Sequence, residues 1–195
     1  DELAPSGQEA EQEGDHQRET MPPGISEAYI GGRGWGAWLL YERLEQGVAP
    51  LSPENALFFL TGPLTGTPIT GAGKYVVVTK SPATGAFCDS YSGGTFAPAL
   101  RSAGYDILHI AGRAPRPSYL YINDDEIEIR PADALWGLDA FEAESWLRRT
   151  HEGGHVGVAV IGPAGENLVA FASIGSDYYR HAARGGVGAV MGSKN

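Results

Sequence analysis

Apolar and polar positions alternate in several distinct rhythms along the chain. In "GWGAWLLYERLEQG" the residues Trp38, Leu39, Tyr41 and Leu44 recur at helical intervals, and Gly47 provides a C-terminal stop, so a helix is predicted there. "LSPEN" predicts a turn. "ALFFL" and "KYVVVTKS" are short runs of β-branched or aromatic residues and predict strands. Between them "TGPLTGTPITGAG" is interrupted too often by glycine and proline for regular structure. "TFAPALRSAG" predicts a short helix closed by Gly104, and "YDILHIAG" a strand. "SYLYINDDEIEIRPA" alternates on both sides of Asp124-Asp125 and predicts a β-hairpin. "AFEAESWLRRTHEGG" predicts an amphipathic helix with a glycine stop. "VGVAVIGP" and "LVAFASIG" predict two further strands. Strands and helices do not alternate as regular βαβ units, so the predicted class is α+β.

The first 24 residues break with this patterning. "DELAPSGQEAEQEGDHQRETMPPG" holds almost no large apolar residue, so it cannot bury enough surface to offset the entropy of ordering. A mobile tail over 1–24 and a folded body over 25–195 are expected. The tail also accounts for most of the charge. Its first twenty residues carry seven acids against Arg18 alone, which leaves the body at only −4 of the net −10. That balance gives no footprint for nucleic acid. No apolar run reaches the roughly 20 residues of a membrane span, and no export leader is apparent. A single cysteine, Cys88, excludes an internal disulfide and a self-contained metal or iron–sulfur site, and fits a reducing cytoplasm.

Two stretches share a phrase. "ALFFLTGPLTGT" and "GVAVIGPAGEN" each run from an apolar strand into Gly-Pro, at Gly62-Pro63 and Gly162-Pro163. Each is followed by a glycine pair opening a short helix, Gly93-Gly94 in "YSGGTFAPAL" and Gly185-Gly186 in "ARGGVGAVMG". Two related β-sheet halves with short helices are therefore expected. Bare backbone at a helix start favours an anion. The residues Ser92, Gly93, Gly94, Arg184 and Gly185, with Arg180, Lys74 and Lys80 as cations, form a candidate site for two phosphate groups. The alternative is turn chemistry alone. "GGRGWGAWLL" misses the dinucleotide spacing, and Lys194 in "GAVMGSKN" lacks the phosphate-loop spacing.

The longer strings are more specific. "YIGGRGWGAWLLYERL", "PLSPENALFFLTGPLTGTPITGAGKYVVVTKSPATGAF", "SGGTFAPALRSAGYDILHIAGRAPRPSYLYINDDEIEIR", "GPAGENLVAFASI" and "ARGGVGAVMGSKN" together resemble the N-terminal domain of the aldehyde ferredoxin oxidoreductase family, in order from about Tyr29 to Asn195. The resemblance implies a base of two related β-sheets beneath a tungsten (in some members molybdenum) bis-pterin cofactor. It implies a magnesium ion joining the two pterin phosphates, a 4Fe-4S cluster ligated in later domains, and oxidation of aldehydes to carboxylic acids with ferredoxin as acceptor. Lys74 stands where the family has an arginine that contacts pterin. Tyr91 stands where an asparagine turns its carbonyl to magnesium, and Gly93 follows as in the family. Arg180 matches the family's arginine, His181 replaces an alanine whose carbonyl faces the metal, and Ala183 replaces a glycine.

No catalytic acid or base is expected in this segment. Partners implied are the remaining domains or a partner chain, ferredoxin, a small aldehyde, and a second copy in a homodimer. The family opens with a strand-forming stretch where this chain has its acidic tail, and it continues past "GSKN" into an apolar strand. A fragment, a split-gene product or an excised domain is therefore expected. The rivals are a related reductase of aromatic thioesters and an assembly module of the same fold that binds no pterin. The substitutions at Lys74, Tyr91, His181 and Ala183 favour the assembly module, while the intact "SGG" and "ARGGVGAVMGSKN" favour cofactor binding. Elsewhere, Cys88 has no evident histidine partner and reads as an ordinary thiol. His109 reads as packed, Glu166-Asn167 as turn capping, and Trp35 and Trp38 as core or interdomain surface. Arg33 is left open between phosphate contact and helix capping.

Overall fold

The structure is a computed structural model and describes residues 15–151 and 156–195. Its centre is a four-stranded antiparallel sheet in the order β3-β2-β1-β4, from β1 (Leu57–Leu60), β2 (Tyr75–Lys80), β3 (Phe87–Ser92) and β4 (Ile107–Ile110). The two central strands are apolar on both faces because both faces are covered. One face sets Phe58, Leu60, Val76 and Val78 against Leu39 and Leu40 of α2 (Arg33–Arg43), which follows the short α1 (Ile25–Tyr29). The other sets Leu57, Phe59, Tyr75 and Val77 against Ala97 of α3 (Phe96–Ser102), Ile174, Ala182, Val187 and Val190. All four residues of β1 are fully buried, each side chain contributing about 1.5–3 kcal/mol of transfer free energy.

The hairpin predicted at Asp124-Asp125 is β5 (Ser118–Asn123) with β6 (Glu126–Pro131). Asp124 has the positive φ of 51° that a two-residue turn between right-twisted strands demands. The amphipathic helix is α4 (Ala140–Thr150), started by a capping box in which Asp139 and Glu142 satisfy each other's ends. The chain then forms α5 (Pro163–Glu166), a hairpin of β7 (Ile174–Ser176) with β8 (Arg180–Ala182), and the buried α6 (Val187–Gly192). The fold is α+β, as expected.

Three local expectations give way. "VGVAVIGP" makes one bridge, Val160 to Gly175, instead of a strand, because α5 begins at Pro163. "LVAFASIG" is a strand only from Ile174. Leu168 has a left-handed backbone (φ 57°) and the amides of Val169 and Ala172 close turns back on Ala164 and Val169. The second half of the repeat is thus a hairpin and a bridge beside a full sheet. Conversely, "FCDSYS" forms β3 without an apolar alternation, since its inward positions Ser90 and Ser92 are hydrogen-bonded instead of oily.

Of the tail expected over 1–24, residues 1–14 lie outside the described residues. Within 15–24, Arg18 bonds Asp125 (2.7 Å) and the Tyr105 hydroxyl (2.6 Å), and Met21 packs on the α2 side of the core. Glu19 pairs with Arg43, whose guanidinium also meets His109 Nδ1 at 3.3 Å. Guanidinium only donates, so His109 must accept and be neutral. Its ring stacks on Phe58 at 4.4 Å, and burial, with Arg43 adding to it, lowers its pKa to about 4. The unfolded chain takes up this proton below about pH 6.5 and the folded chain does not. Stability is therefore lost as pH falls from about 6.5 to 4. After allowance for the exposed part of the ring, the loss is about 1 kcal/mol. Urea midpoints measured across that range should show this slope in the wild type and a flatter one in His109→Gln, whose amide oxygen still accepts from Arg43.

Candidate cofactor cradle

Residues remote in sequence meet at the end of β3. A side chain at Gly93 would touch Arg180 Nη1 at 3.6 Å and Lys74 Cγ at 3.9 Å, so the two cations flank bare backbone. Among the described residues neither Lys74 nor Arg180 has an ion-pair partner. Both are exposed. Lys74 also lines a cleft of about 350 Å³ with Arg33, Leu64, Ile69, Val76 and Tyr91. Arg33 is paired with Asp89 (3.2 Å) at its rim. Burial and nearby Asp89 push the Tyr91 phenol up, so it remains protonated.

β8 runs along the outer edge of β3 in the opposite sense. Arg180 lies by Gly93, while the Arg184 N–H donates to Ser90 Oγ (3.0 Å). The two strands exchange no backbone ladder bonds among the described residues. Ladder alternation gives the direction of their free groups. Ser81 donates to the Ala86 carbonyl (2.9 Å), so in the β2–β3 register Tyr75–Ser92 is a hydrogen-bonded pair and Val76–Tyr91 is not. The Tyr91 N–H and C=O therefore point out of the sheet, toward β8. On the other strand, Gly175 exchanges both its backbone bonds with Val160 (2.9 and 2.8 Å). Its pairing with His181 in β7–β8 is thus the non-bonded kind, and the His181 N–H and C=O point away from β7, toward β3. Carbonyl oxygens of Tyr91 and His181 face the same seam. Backbone oxygens of this type suit a hard cation such as magnesium. Among the described residues no group of His, Cys, Asp and Glu side chains could hold a metal.

The other expected site residues lie as follows. Ser92 turns its hydroxyl inward to Ser176 Oγ (3.2 Å), which also bonds the Tyr75 hydroxyl and the Gly93 carbonyl, so it braces the loop from below. Ala183 is exposed at the seam. Gly185 stands beside Cys88, five residues back along β3 and about 16 Å of strand from Gly93. Its carbonyl accepts from Ser81 Oγ (2.8 Å).

The helix starts differ from the sequence expectation. At α3 an anion is already present, because the Asp177 carboxylate accepts from the Thr95 N–H (2.5 Å) and hydroxyl (2.7 Å) against Gly94. At α6 the start is buried and the Gly188 N–H bonds the Ala172 carbonyl (2.9 Å). The glycines of "GGVGAVMG" admit protein atoms instead of a phosphate. Methyl groups at Gly186, Gly188 and Gly192 would overlap the carbonyls of Ala170, Ser173 and Gly165. Lys194 is likewise turned inward, its ammonium on the carbonyls of Ser52 (3.2 Å), Pro53 (2.8 Å) and Asn55 (2.5 Å).

Glu166 caps the Gly137 N–H and Asn167 bonds Pro163, both turn roles. Burial pushes the Cys88 thiol up, away from a nucleophile's range. A network that periodicity did not reveal joins Asp177 to Arg148 (2.6 Å) and Arg148 to the buried Glu144 (2.7 Å). The i,i+4 spacing of Glu144 and Arg148 on α4 was its one legible signal.

The model of the family described as "Aldehyde ferredoxin oxidoreductase, N-terminal domain" matches residues 12–195. The chain belongs to this family. It is 48% identical over 182 residues to a tungsten-containing aldehyde ferredoxin oxidoreductase of Pyrococcus furiosus, covering 93% of this chain and 30% of that protein. The corresponding protein of Pyrococcus horikoshii is 45% identical over 183 residues, covering 94% and 30%. Among solved structures, the active site complex BamBC of benzoyl coenzyme A reductase, in complex with 1,5 dienoyl-CoA, superposes with a TM-score of 0.88 at 44% identity. That match covers 91% of this chain and 27% of the other. The chain thus spans about 30% of the length of the curated relatives it matches. Among the described residues no helix is long and apolar enough to cross a membrane.

Proposed function

We propose that this domain is the cofactor-binding base of a tungsten-pterin oxidoreductase that oxidises aldehydes to carboxylic acids and passes the electrons to ferredoxin. The observation that supports this reading is the seam between β3 and β8, toward which strand register turns the Tyr91 and His181 carbonyls and beside which Lys74 and Arg180 flank Gly93. In that role Lys74 and Arg180, with Arg184 further along, balance the pterin phosphates. Lysine at position 74 keeps the charge of the family's arginine but not its two-pronged bonding. The two carbonyls, which belong to the backbone, hold magnesium whatever side chain is attached. The bound group would supply the redox centre. The cluster cysteines and the groups that close over substrate would come from other domains or a partner chain, since Cys88 stands alone here.

A second reading, a reductase of aromatic acyl-CoA thioesters, is supported by the likeness to the benzoyl coenzyme A reductase complex. One experiment separates them. The complete enzyme carrying this domain, produced anaerobically with tungstate, is expected to contain tungsten and pterin and to reduce ferredoxin on addition of an aldehyde. Turnover of an aromatic acyl-CoA without aldehyde oxidation selects the second reading. A folded enzyme with neither metal nor pterin refutes both and leaves an assembly module.

A further inference from the structure

Arg180 can face Gly93 only while the β7–β8 hairpin is held in place, and Asp177 ties its tip to the Gly93-Gly94 loop. The tip residues Asp177 and Tyr178 have left-handed backbones (φ 46° and 61°), a conformation costing roughly 1 kcal/mol or more for each non-glycine residue. What offsets that cost converges on Asp177. Its carboxylate accepts from the Thr95 N–H (2.5 Å), the Thr95 hydroxyl (2.7 Å) and Arg148 Nη2 (2.6 Å). Arg148 is braced in turn by Glu144 and by the Val156 carbonyl (2.7 Å), and Glu144 accepts the Tyr178 N–H (2.8 Å). The carboxylate occupies the place a side chain at position 94 would fill, so Gly94 is bare on its account.

We propose that Asp177 is the positioning residue of the cradle: anchored to Thr95 and Arg148, it sets Arg180 against Gly93 where a pterin phosphate is bound. This rests on the cofactor reading above. A turn that required only left-handed backbone would be served by glycine or asparagine. The ion pair with Arg148 and the two hydrogen bonds accepted from Thr95 do more, because they lock the hairpin to the same loop whose glycine Arg180 must meet. By filling the start of α3, the carboxylate also leaves the Lys74–Arg180 side as the cationic face for an incoming phosphate.

The test compares Asp177→Asn, Arg180→Gln and the double variant in the complete, anaerobically purified enzyme, reading tungsten and pterin per folded chain beside the thermal midpoint. Asp177→Asn is expected to lower both contents about ten-fold, the effect typical of groups that orient a ligand's direct contacts. The double variant should bind no less than the worse single variant, because the two residues act as one unit. A lower thermal midpoint with wild-type tungsten and pterin would reduce Asp177 to a structural role and overturn the proposal. If Asp177→Asn yields no folded enzyme, Thr95→Val removes one of its hydrogen bonds and should lower the contents about five-fold. Unchanged contents there overturn it as well. A wild-type enzyme free of tungsten and pterin rejects the cofactor reading itself, an outcome distinct from a loaded wild type with an equally loaded variant.

Discussion

Alanine in place of Gly192 is expected to destabilise the domain by about 3 kcal/mol or more, among the largest effects of any single methyl group here. α6 lies flush on α5, and the added carbon would overlap the Gly165 carbonyl, a backbone group with no rotamer to yield. The loss corresponds to a thermal midpoint lower by roughly 10 °C for a chain of this size. Gly71→Ala is the informative control. Gly192 has ordinary helical backbone, whereas Gly71 has positive φ (87°) and open space around it, so strain alone costs about 1 kcal/mol there. Scanning calorimetry of the two variants separates contact from conformation. Equal midpoints would mean that close helix packing is not why this segment is so rich in glycine.

Removing Arg148 should be at least as severe. Glu144 is 1% exposed, and its carboxylate is held by Arg148 and the Tyr178 N–H. Arg148→Met keeps most of the side-chain volume but strands that buried charge, at a cost of about 3–5 kcal/mol. Adding Glu144→Gln removes the stranded charge and should restore a large part of the loss, since the two substitutions share one interaction. Denaturant midpoints of both single variants and the double variant give the coupling directly. Additive losses would show that Glu144 and Arg148 stabilise the fold independently.

The parts of the fold legible in the sequence are those where local pattern and tertiary demand agree. "LFFL" and "YVVVTK" are apolar throughout because they lie between two layers, and Asp124 can adopt the turn its hairpin needs. The capping pair Asp139 and Glu142 starts α4 where the apolar stripe begins. "FCDSYS" was illegible because hydroxyl bonds to Ser176 and Arg184 replace apolar burial on its inner face. "LVAFASIG" misled because composition favours a strand while Leu168 and the turn bonds of Val169 and Ala172 do not. For the site, residue pattern pointed to glycines and nearby cations, and resemblance supplied the individual positions. The glycines proved to serve two purposes. Gly93 leaves bare backbone between Lys74 and Arg180, whereas Gly94 makes room for the Asp177 carboxylate and Gly186, Gly188 and Gly192 for neighbouring backbone. Asp177 could not be singled out, since its partners Thr95 and Arg148 meet it only through tertiary contact.

The unladdered seam between β3 and β8 has a cost wherever it stands uncovered. Each strand then presents a margin of unsatisfied amides and carbonyls, and such margins template pairing with other chains. A chain whose margin stands uncovered is therefore vulnerable to clumping there, even though the layers beneath are folded. Whatever covers this margin thus protects solubility as well as completing the site.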